Sequence, residues 1–294
     1  MKKRLDPKWM LIVSMAIFGT LALFVRNISV SSGELALYRA VLAAALIGTF
    51  LLLTKQRIPF QNIKKSIPLL LLSGIAMGFN WILLFEAYKY TTVSAATLSY
   101  YFAPVIVTVV SPLLFREKLT GKQLLCFIMS TAGIVMITGI GDLTGGQDLL
   151  GILCGLGAAV LYASVVLINK FIKDVTGIHR TFLQFLAAIL VLTPYVMLTG
   201  GFTLLALNST GWINLLIVGL VHTGVTYCMY FSSLKDLPGQ KAAILSYIDP
   251  LVAVLISVTL LQETMTIWQA IGGCLILGFT LWNELPQRNG KHSV

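Results

Sequence analysis

Two stretches at the ends of long apolar runs decide the fold: residues 115–123 read FREKLTGKQ, and residues 261–269 read LQETMTIWQ. A shift of 146 positions (115 to 261) superimposes them, and the polar pairs that then coincide are Glu117/Glu263, Thr120/Thr266 and Gln123/Gln269. The positive charges do not recur, because the second stretch has uncharged residues in place of Arg116, Lys118 and Lys122. The chain is therefore predicted to contain one unit twice, with the two copies in environments of different charge.

The composition is that of a membrane protein. Of the 294 residues, 57% are hydrophobic and 11% are charged, and the mean hydropathy is +0.89. A soluble domain of ordinary composition is about 25% charged. Apolar runs of about 20 residues, enough to cross a hydrocarbon layer about 30 Å thick, recur along the whole chain. We therefore expect a polytopic membrane protein with almost no soluble mass.

Breaks rich in charged residues, Gly, Pro or Asn separate ten apolar runs, each predicted to be a transmembrane helix. Runs 1 to 10 are 9–25, 34–53, 67–87, 93–115, 122–139, 149–169, 181–199, 211–232, 239–261 and 267–284. We expect an all-α membrane protein with ten transmembrane helices in two inverted five-helix repeats, at 1–139 and 149–285. A linker at 140–148 joins the repeats, and a cytoplasmic tail follows at 286–294. Run 1 also resembles a secretory signal, but its counterpart in the second repeat favours a retained helix.

The distribution of Lys and Arg predicts the topology. With the N-terminus in the cytoplasm and ten crossings, 18 of the 21 Lys and Arg residues fall on the cytoplasmic side, as the positive-inside rule requires. Both termini are then cytoplasmic, and the protein is expected in the bacterial cytoplasmic membrane. The net charge of +10 is thereby explained by topology, and no segment forms a soluble basic surface for nucleic acid.

The odd number of helices in each half explains why only the cations are lost. After five crossings the second half begins on the opposite side of the membrane and has the inverted orientation. Residues 115–123 are therefore cytoplasmic, and residues 261–269 lie outside. Other identities at the same shift are Gly78/Gly224, Phe85/Phe231, Lys89/Lys235, Ala96/Ala242, Tyr101/Tyr247, Pro104/Pro250 and Ser111/Ser257. Inverted repeats place a binding site near the midplane and let it face each side in turn. This arrangement favours a secondary transporter over a channel or an enzyme.

Three stretches resemble EamA-type members of the drug/metabolite transporter (DMT) superfamily. They are SYYFAPVIVTVVSPLLFREKLTGKQ at 99–123, its repeat SYIDPLVAVLISVTLLQETMTIWQ at 246–269, and LALYRAVLAAAL at 35–46, where Arg39 stands at a position that is often arginine in the family. The resemblance covers essentially the whole chain. It implies a ten-helix carrier, often an exporter of amino acids or other small metabolites. It also implies a central cavity lined by runs 3, 4, 8 and 9, with runs 5 and 10 at the periphery.

A polar stripe marks one face of run 4. Its members recur at helical spacing, and polar groups in a membrane helix face protein or water because exposing them to hydrocarbon is costly. The stripe consists of Thr97, Tyr101, Pro104, Thr108 and Ser111, and run 9 has Tyr247, Pro250 and Ser257 at equivalent positions. Pro104 and Pro250 each remove a backbone donor and are predicted to bend their helices beside the cavity. The alternative is that the two prolines only shape the packing of the helices.

Asp249, near the middle of run 9, is the most informative single residue. A carboxylate at that depth needs water, a cation or a hydrogen-bond donor, so it is expected to bind a substrate amine or to exchange a proton. His222 and Tyr247 are its expected partners; the alternative is a buried hydrogen bond that only joins helices. The predicted substrate-binding residues are Asn80, Trp81, Thr97, Tyr100, Tyr101, His222, Tyr247 and Asp249.

Charged residues near the ends of the runs receive structural interpretations. Arg39 and Glu86 are interpreted as a pair that forms an outer gate or a structural tie, unless Arg39 extends outward to the membrane surface. Glu117 and Glu263 are expected to cap the helices that follow them. The four cysteines lie singly within runs and lack the spacing of a metal or redox site.

The sequence favours a secondary active transporter that exports small metabolites, such as amino acids or related amines, by alternating access, with protons as a candidate coupling ion. No phosphate-binding Gly-rich loop, His/Glu metal motif or Gly-x-Ser-x-Gly turn is present, so no cofactor, metal or enzymatic activity is expected. The expected partners are a small-molecule substrate and the lipid bilayer, without nucleic acid, and the oligomeric state stays open. The alternatives are a lipid or lipid-linked metabolite flippase on the same fold and a membrane-embedded enzyme.

Overall fold

The part of the chain that the structure describes is all helical. The structure is a computed structural model that describes residues 6–56, 63–115, 120–138, 147–175, 177–234, 236–237 and 239–285, and no β-strand occurs among them. The α-helices are α1 (Pro7–Gly19), α2 (Leu21–Val25), α3 (Ser32–Leu53), α4 (Ile67–Tyr90), α5 (Val93–Tyr100), α6 (Ala103–Phe115), α7 (Gly121–Thr138), α8 (Gln147–Phe171), α9 (Gly177–Thr199), α10 (Ser209–Leu216), α11 (Thr226–Leu234), α12 (Gly239–Ser246), α13 (Ile248–Thr259) and α14 (Ile267–Glu284). A π-helix, Ile217–Val225, connects α10 to α11, and short 3-10 helices lie at Lys64–Ser66 and Leu204–Ala206.

Seven helical segments of the described residues are long and apolar enough to cross a membrane. They are Pro7–Val25, Ser32–Leu53, Lys64–Tyr90, Val93–Phe115, Asp148–Phe171, Gly177–Thr199 and Ser209–Leu234. Gly121–Ile137 and Ile244–Thr259 are apolar but shorter. The prediction of an all-α, multi-pass architecture is therefore confirmed, whereas ten crossings stays a prediction.

Two runs that were expected as continuous helices are each broken near the middle. Run 4 divides into α5 and α6 after Tyr100, and run 9 divides into α12 and α13 at Tyr247. Pro104 and Pro250 follow shortly after the breaks and have no N–H to donate to the carbonyl oxygen four residues before. Each proline therefore leaves a gap in the backbone hydrogen bonding, and the two gaps fall at equivalent places in the two halves.

The π-helix inside run 8 is a further irregularity that the sequence periodicity does not indicate. The hydroxyl of Thr223 donates to the carbonyl of Val218 at 2.8 Å, and the hydroxyl of Thr226 donates to that of Val221 at 2.8 Å. Gly219 leaves room for α3, because a Cβ atom there would overlap the side chain of Leu42. The π-helix thus packs directly against α3, and π-turns of this kind are frequent at functional sites.

Equivalent helices of the two halves make equivalent contacts with the opposite half. Helix α4 of the first half packs along α8 and α9 of the second half. Reciprocally, α11 and the π-helix of the second half pack along α1 and α3 of the first half. Likewise α5 packs on α8, α13 packs on α1, and α5 and α13 pack on each other. Each half therefore completes the core of the other, as expected of two related units.

Helices α7 and α14 pair closely with each other. Gly133 and Gly272 bring their backbones into contact, since a Cβ atom on either would lie 2.6 or 2.5 Å from the carbonyl oxygen of the other. The opposite side of α7 exposes Leu124, Ile128 and Val135 by about half of their surface. An exposed apolar face of this kind is suited to lipid, which agrees with the peripheral position expected for runs 5 and 10.

Candidate functional site

A cavity of about 670 Å³ lies between the two halves of the chain. Runs 3, 4, 8 and 9 contribute to its wall as expected, and so do runs 1, 2, 6, 7 and 10. The first half contributes Met15, Phe18, Gly19, Leu21, Arg39, Met77, Trp81, Leu84, Tyr88, Thr97, Tyr100, Tyr101, Ala103 and Pro104. The second half contributes Tyr162, Val165, Val166, Asn169, Lys170, Arg180, Thr181, Gln184, Tyr227, Tyr230, Phe231, Ser246, Tyr247, Asp249, Ala253 and Glu284.

The cavity is closed by buried residues at one end and has an exposed residue at the other. Its closed end is lined by Arg39, Tyr88 and Thr97, which are 3%, 7% and 3% exposed. At the opposite end the side chain of Lys170 is exposed. The cavity wall is therefore less buried at the Lys170 end than at the Arg39 end.

Arg26 ties together the elements that cover the closed end. Its guanidinium forms an ion pair with Glu263, which lies between α13 and α14. It also donates hydrogen bonds to the carbonyl oxygens of Tyr88, at 3.1 Å, and Thr91, at 2.8 Å, at the end of α4. One side chain thus joins the segment after α2 to two other parts of the chain, one in each half.

Glu263 caps a different helix from the expected one. The following helix, α14, is capped by Thr266 and Gln269, which form a capping box. The carboxylate of Glu263 instead accepts a hydrogen bond from the N–H of Val93, at 2.8 Å, at the start of α5, and another from the hydroxyl of Ser257. The prediction that Glu263 caps the helix that follows it is therefore wrong, because Glu263 caps α5. Glu117 lies outside the described residues.

Asp249 joins the two halves within the cavity. The hydroxyl of Tyr101 donates to Asp249 Oδ2 at 2.7 Å. The break at Tyr247 places Asp249 in the first turn of α13, where the free N–H groups and the dipole of a helix start favour a carboxylate. The expected partners were His222 and Tyr247; the donor is instead Tyr101, the counterpart of Tyr247 in the repeat.

His222 and Asn80 lie behind the cavity wall and are not among the lining residues. His222 is 2% exposed, with Nε2 at 2.8 Å from the hydroxyl of Thr20 and Nδ1 at 3.3 Å from the carbonyl of Ile217. Asn80 Nδ2 donates to the carbonyl oxygen of Ala158 at 2.6 Å. Both side chains connect helices, so the prediction that they bind substrate gains no support from their position.

Arg39 is buried in the wall of the cavity and does not pair with Glu86. Its Nε donates to the hydroxyl of Thr223 at 2.7 Å, and its guanidinium lies 4.6 Å from the centre of the Trp81 ring. Glu86 pairs with Lys89 on the same helix, at 3.1 Å. The predicted Arg39–Glu86 pair is therefore wrong, and Arg39 does not extend to the membrane surface, because α3 packs against the π-helix at this level.

The remaining candidates border the cavity around the two helix breaks. These are Trp81, Thr97, Tyr100, Tyr101, Tyr247 and Pro104, while Pro250 is buried next to Asp249. The ring of Tyr100 lies 6.0 Å from that of Tyr101 and 5.5 Å from that of Tyr162. The wall thus combines aromatic surface with few charges. Among the described residues no cluster of three His, Cys, Asp or Glu side chains is arranged to hold a metal ion.

Sequence reasoning missed much of this wall. Tyr88, Tyr162, Tyr227 and Tyr230 line the cavity, although none of them is part of a polar stripe. A usable signal was the number of tyrosines inside or directly beside the runs, because a buried tyrosine hydroxyl needs a polar partner. Arg26 was also missed, although it is one of the few cations expected on the outer side of the membrane.

Comparison with known proteins identifies two copies of one domain. The EamA-like transporter family matches residues 8–139 and again residues 149–283. The chain is 30% identical over 287 residues to the uncharacterized transporter YxxF of Bacillus subtilis (strain 168), covering 97% of this chain and 91% of that protein. It is 29% identical over 284 residues to an uncharacterized transporter of Archaeoglobus fulgidus, covering 93% and 95% of the two chains.

A solved crystal structure shares the fold, with a TM-score of 0.65 and 19% sequence identity, over 93% of this chain and 95% of the other. The agreement extends over nearly the whole length of both chains and includes both halves. Since the family matches each half separately, the repeat inferred from the two end stretches corresponds to two family domains. The chain belongs to the EamA-like transporter family.

Proposed function

We propose that this protein exports small metabolites that carry an amino group across the bacterial cytoplasmic membrane by alternating access. The observation that carries the proposal is the position of Asp249, hydrogen-bonded to Tyr101 inside a cavity between the two repeats. A carboxylate at membrane depth requires a cation, a proton or a hydrogen-bond donor. Asp249 therefore provides a place for a substrate amine or for a coupling proton.

The proposed topology has ten transmembrane helices in two inverted repeats, with both termini in the cytoplasm. In that orientation Arg26 and Glu263 lie at the outer surface and Lys170 lies on the cytoplasmic side, where we propose that the cavity opens. The asymmetry of Lys and Arg along the chain supports this orientation. A carrier open to the cytoplasm is ready to load a substrate for export.

Opening toward the outside requires the contacts at the closed end to separate. The Arg26–Glu263 ion pair is the main charged contact there, and we propose that it acts as the outer latch. Because the packing of the two halves is interchangeable, the halves can exchange conformations, so that the outer end opens as the inner end closes. No chemical change of the substrate is part of this cycle.

Two experiments test the proposal in sequence. Deletion of the gene, followed by metabolite profiling inside and outside the cell, identifies compounds that accumulate inside when export is lost. The purified protein in sealed vesicles should then move such a compound across the bilayer, and the Asp249→Asn variant should not. Movement of a labelled lipid between leaflets instead would support a flippase, and conversion of the compound without movement would support an enzyme.

A further inference from the structure

The connection between α9 and α10 belongs to a long stretch of the sequence without charge. Residues 181–234 contain no Asp, Glu, Lys or Arg, so nearly all of two membrane-length segments and the whole connection between them are uncharged. The counterpart at the shift of 146 positions, residues 35–88, has charged residues at Arg39, Lys55, Arg57, Lys64, Lys65 and Glu86. The lack of charge is therefore specific to the second half and is not a property of the repeat.

This connection, residues 199–207 (the apolar loop), lies at the Arg26 end of the molecule. The N–H and the hydroxyl of Thr203 donate to the carboxylate of Glu34 at 2.6 and 2.5 Å, and Glu34 is in the first turn of α3, the helix that follows Arg26. Three other connections at that end have a charged residue within them or directly beside them, namely Arg26, Lys89 and Glu263. The apolar loop therefore differs from its neighbours at the same surface.

The apolar side chains of the loop, and of the helix end before it, lack cover within the described part of the chain. Leu205 is 95% exposed, Leu198 is 86% exposed and Phe202 is 50% exposed. Contact with water is unfavourable for apolar surface, and exposed apolar patches in proteins mark surfaces that bind a partner or a membrane. The loop is therefore suited to an apolar partner.

The backbone of the loop satisfies many of its own polar groups. The N–H groups of Gly200 and Gly201 both donate to the carbonyl oxygen of Val196, at 3.2 and 2.8 Å, and Gly201 has a φ of +69° that favours glycine. The N–H groups of Ala206 and Leu207 donate to carbonyl oxygens within the loop, at 2.9 and 3.2 Å. Irregular backbone is costly in hydrocarbon because of unsatisfied polar groups. With these bonds formed, the loop is compatible with the boundary between lipid headgroups and acyl chains.

Glu34 holds the loop in one orientation. Its carboxylate is 0% exposed and accepts hydrogen bonds from Thr203 and, at 2.9 Å, from the hydroxyl of Tyr38. The ring of Phe202 lies 6.5 Å from the ring of Tyr38. Thr203 is thereby turned toward α3, and the nearly full exposure of Leu205 places its side chain on the side away from the protein.

We propose that the apolar loop is an interfacial anchor that binds the acyl chains of the membrane leaflet at the Arg26 end, with Leu198 and Leu205 inserted below the headgroups. Segments that lie in the interface bury their apolar face about 5–10 Å into the boundary between headgroups and acyl chains. Membrane-length segments, Gly177–Thr199 and Ser209–Leu234, flank the loop on both sides and hold it at the membrane surface. This position, together with the lack of any charge that could pair with a protein, favours lipid over a protein partner.

The test measures which medium surrounds a nitroxide attached at Leu205→Cys. The full-length protein, with its four native cysteines replaced, is placed in phospholipid vesicles, and collisions of the nitroxide with oxygen, which dissolves in acyl chains, are compared with those of a water-soluble nickel chelate. Leu190→Cys, at an exposed apolar position within α9, is the lipid reference, and Ser29→Cys, at an exposed position between α2 and α3, is the water reference.

We expect oxygen collisions to exceed nickel collisions at position 205, as at position 190, and the opposite order at position 29. An excess of nickel collisions at position 205 would show that the loop lies in water, and few collisions with either reagent would show that protein covers it. Either result would overturn the inference.

A second measurement gives the depth without a nitroxide. Leu205→Trp, with the five native tryptophans replaced by Phe, is placed in vesicles of lipids brominated at one chosen carbon of the acyl chain. The fluorescence should be quenched most strongly by bromine near the headgroup end of the chain, and Ser29→Trp should be quenched less at every position. Equal quenching of the two variants would contradict an anchor at Leu205.

Discussion

Replacing Glu263 with Gln should shift the transporter toward the state that is open at the Arg26 end. The carboxylate pairs with Arg26 and accepts hydrogen bonds from the N–H of Val93 and the hydroxyl of Ser257, and the amide keeps only one acceptor oxygen and no charge. The side chain of Glu263 is 11% exposed, so water replaces these contacts poorly. Loss of these charge-assisted bonds should destabilise the closed state by about 2 kcal/mol. The equilibrium between the closed state and the state open at the Arg26 end should therefore shift about 30-fold toward the open state.

Side-specific labelling measures this equilibrium. Thr97 lines the closed end of the cavity and is 3% exposed, so a cysteine introduced there, with the native cysteines replaced, reacts from the Arg26 side only when that end opens. In sealed vesicles a membrane-impermeant thiol reagent added on that side should label the Glu263→Gln variant about 30-fold faster. Arg26→Gln should give a similar increase.

Glu86→Gln is the matched control. It breaks an ion pair of 3.1 Å that joins two residues of the same helix, Glu86 and Lys89, and connects no separate segments. The labelling rate at position 97 should therefore stay at the wild-type value. Equal rates in Glu263→Gln and Glu86→Gln would refute the reasoning that the Arg26–Glu263 pair holds the closed end together.

Two further changes have expected outcomes. Gly272→Ala places a methyl group against the carbonyl oxygen of Gly133 and should lower the stability by about 1–3 kcal/mol, measured as thermal unfolding in detergent. Gly278→Ala on the same helix meets no atom within 4 Å and should be neutral or stabilising; equal losses in both variants would contradict the close packing. Tyr101→Phe removes the 2.7 Å hydrogen bond to Asp249, worth about 1.5–3 kcal/mol for a charged acceptor, and should slow vesicle transport about tenfold or more. A wild-type rate would show that this bond has no role in the cycle.

The features that the sequence predicts well are local ones. The helical class follows from apolar runs of spanning length, and the repeat follows from pairs such as Tyr101/Tyr247 and Pro104/Pro250. The breaks near Pro104 and Pro250 are predicted to within a few residues because a proline has no N–H to donate, although α6 continues through Pro112 and α9 through Pro194. None of these inferences needs the relative positions of distant helices.

The features that the sequence does not predict depend on rotation and depth between helices. The partner of Asp249 is Tyr101 rather than His222, because α5 and α13 pack on each other across the two halves. Arg39 is buried rather than paired with Glu86, because the π-helix faces α3 and the periodicity of run 8 gives no sign of it. Contacts between residues more than 100 positions apart are invisible in a single sequence.

The most direct test of the account measures transport by Asp249→Asn in sealed vesicles, as a function of pH, for the metabolite that accumulates when the gene is deleted. Asn keeps the size and hydrogen bonding of the side chain and removes the charge. Asp236→Asn, which removes an exposed carboxylate after α11, is the control and should transport like the wild type. The account predicts that Asp249→Asn inserts and folds but loses transport or its pH dependence. A wild-type rate and pH profile in that variant would show that Asp249 only joins the two halves and would contradict the central claim.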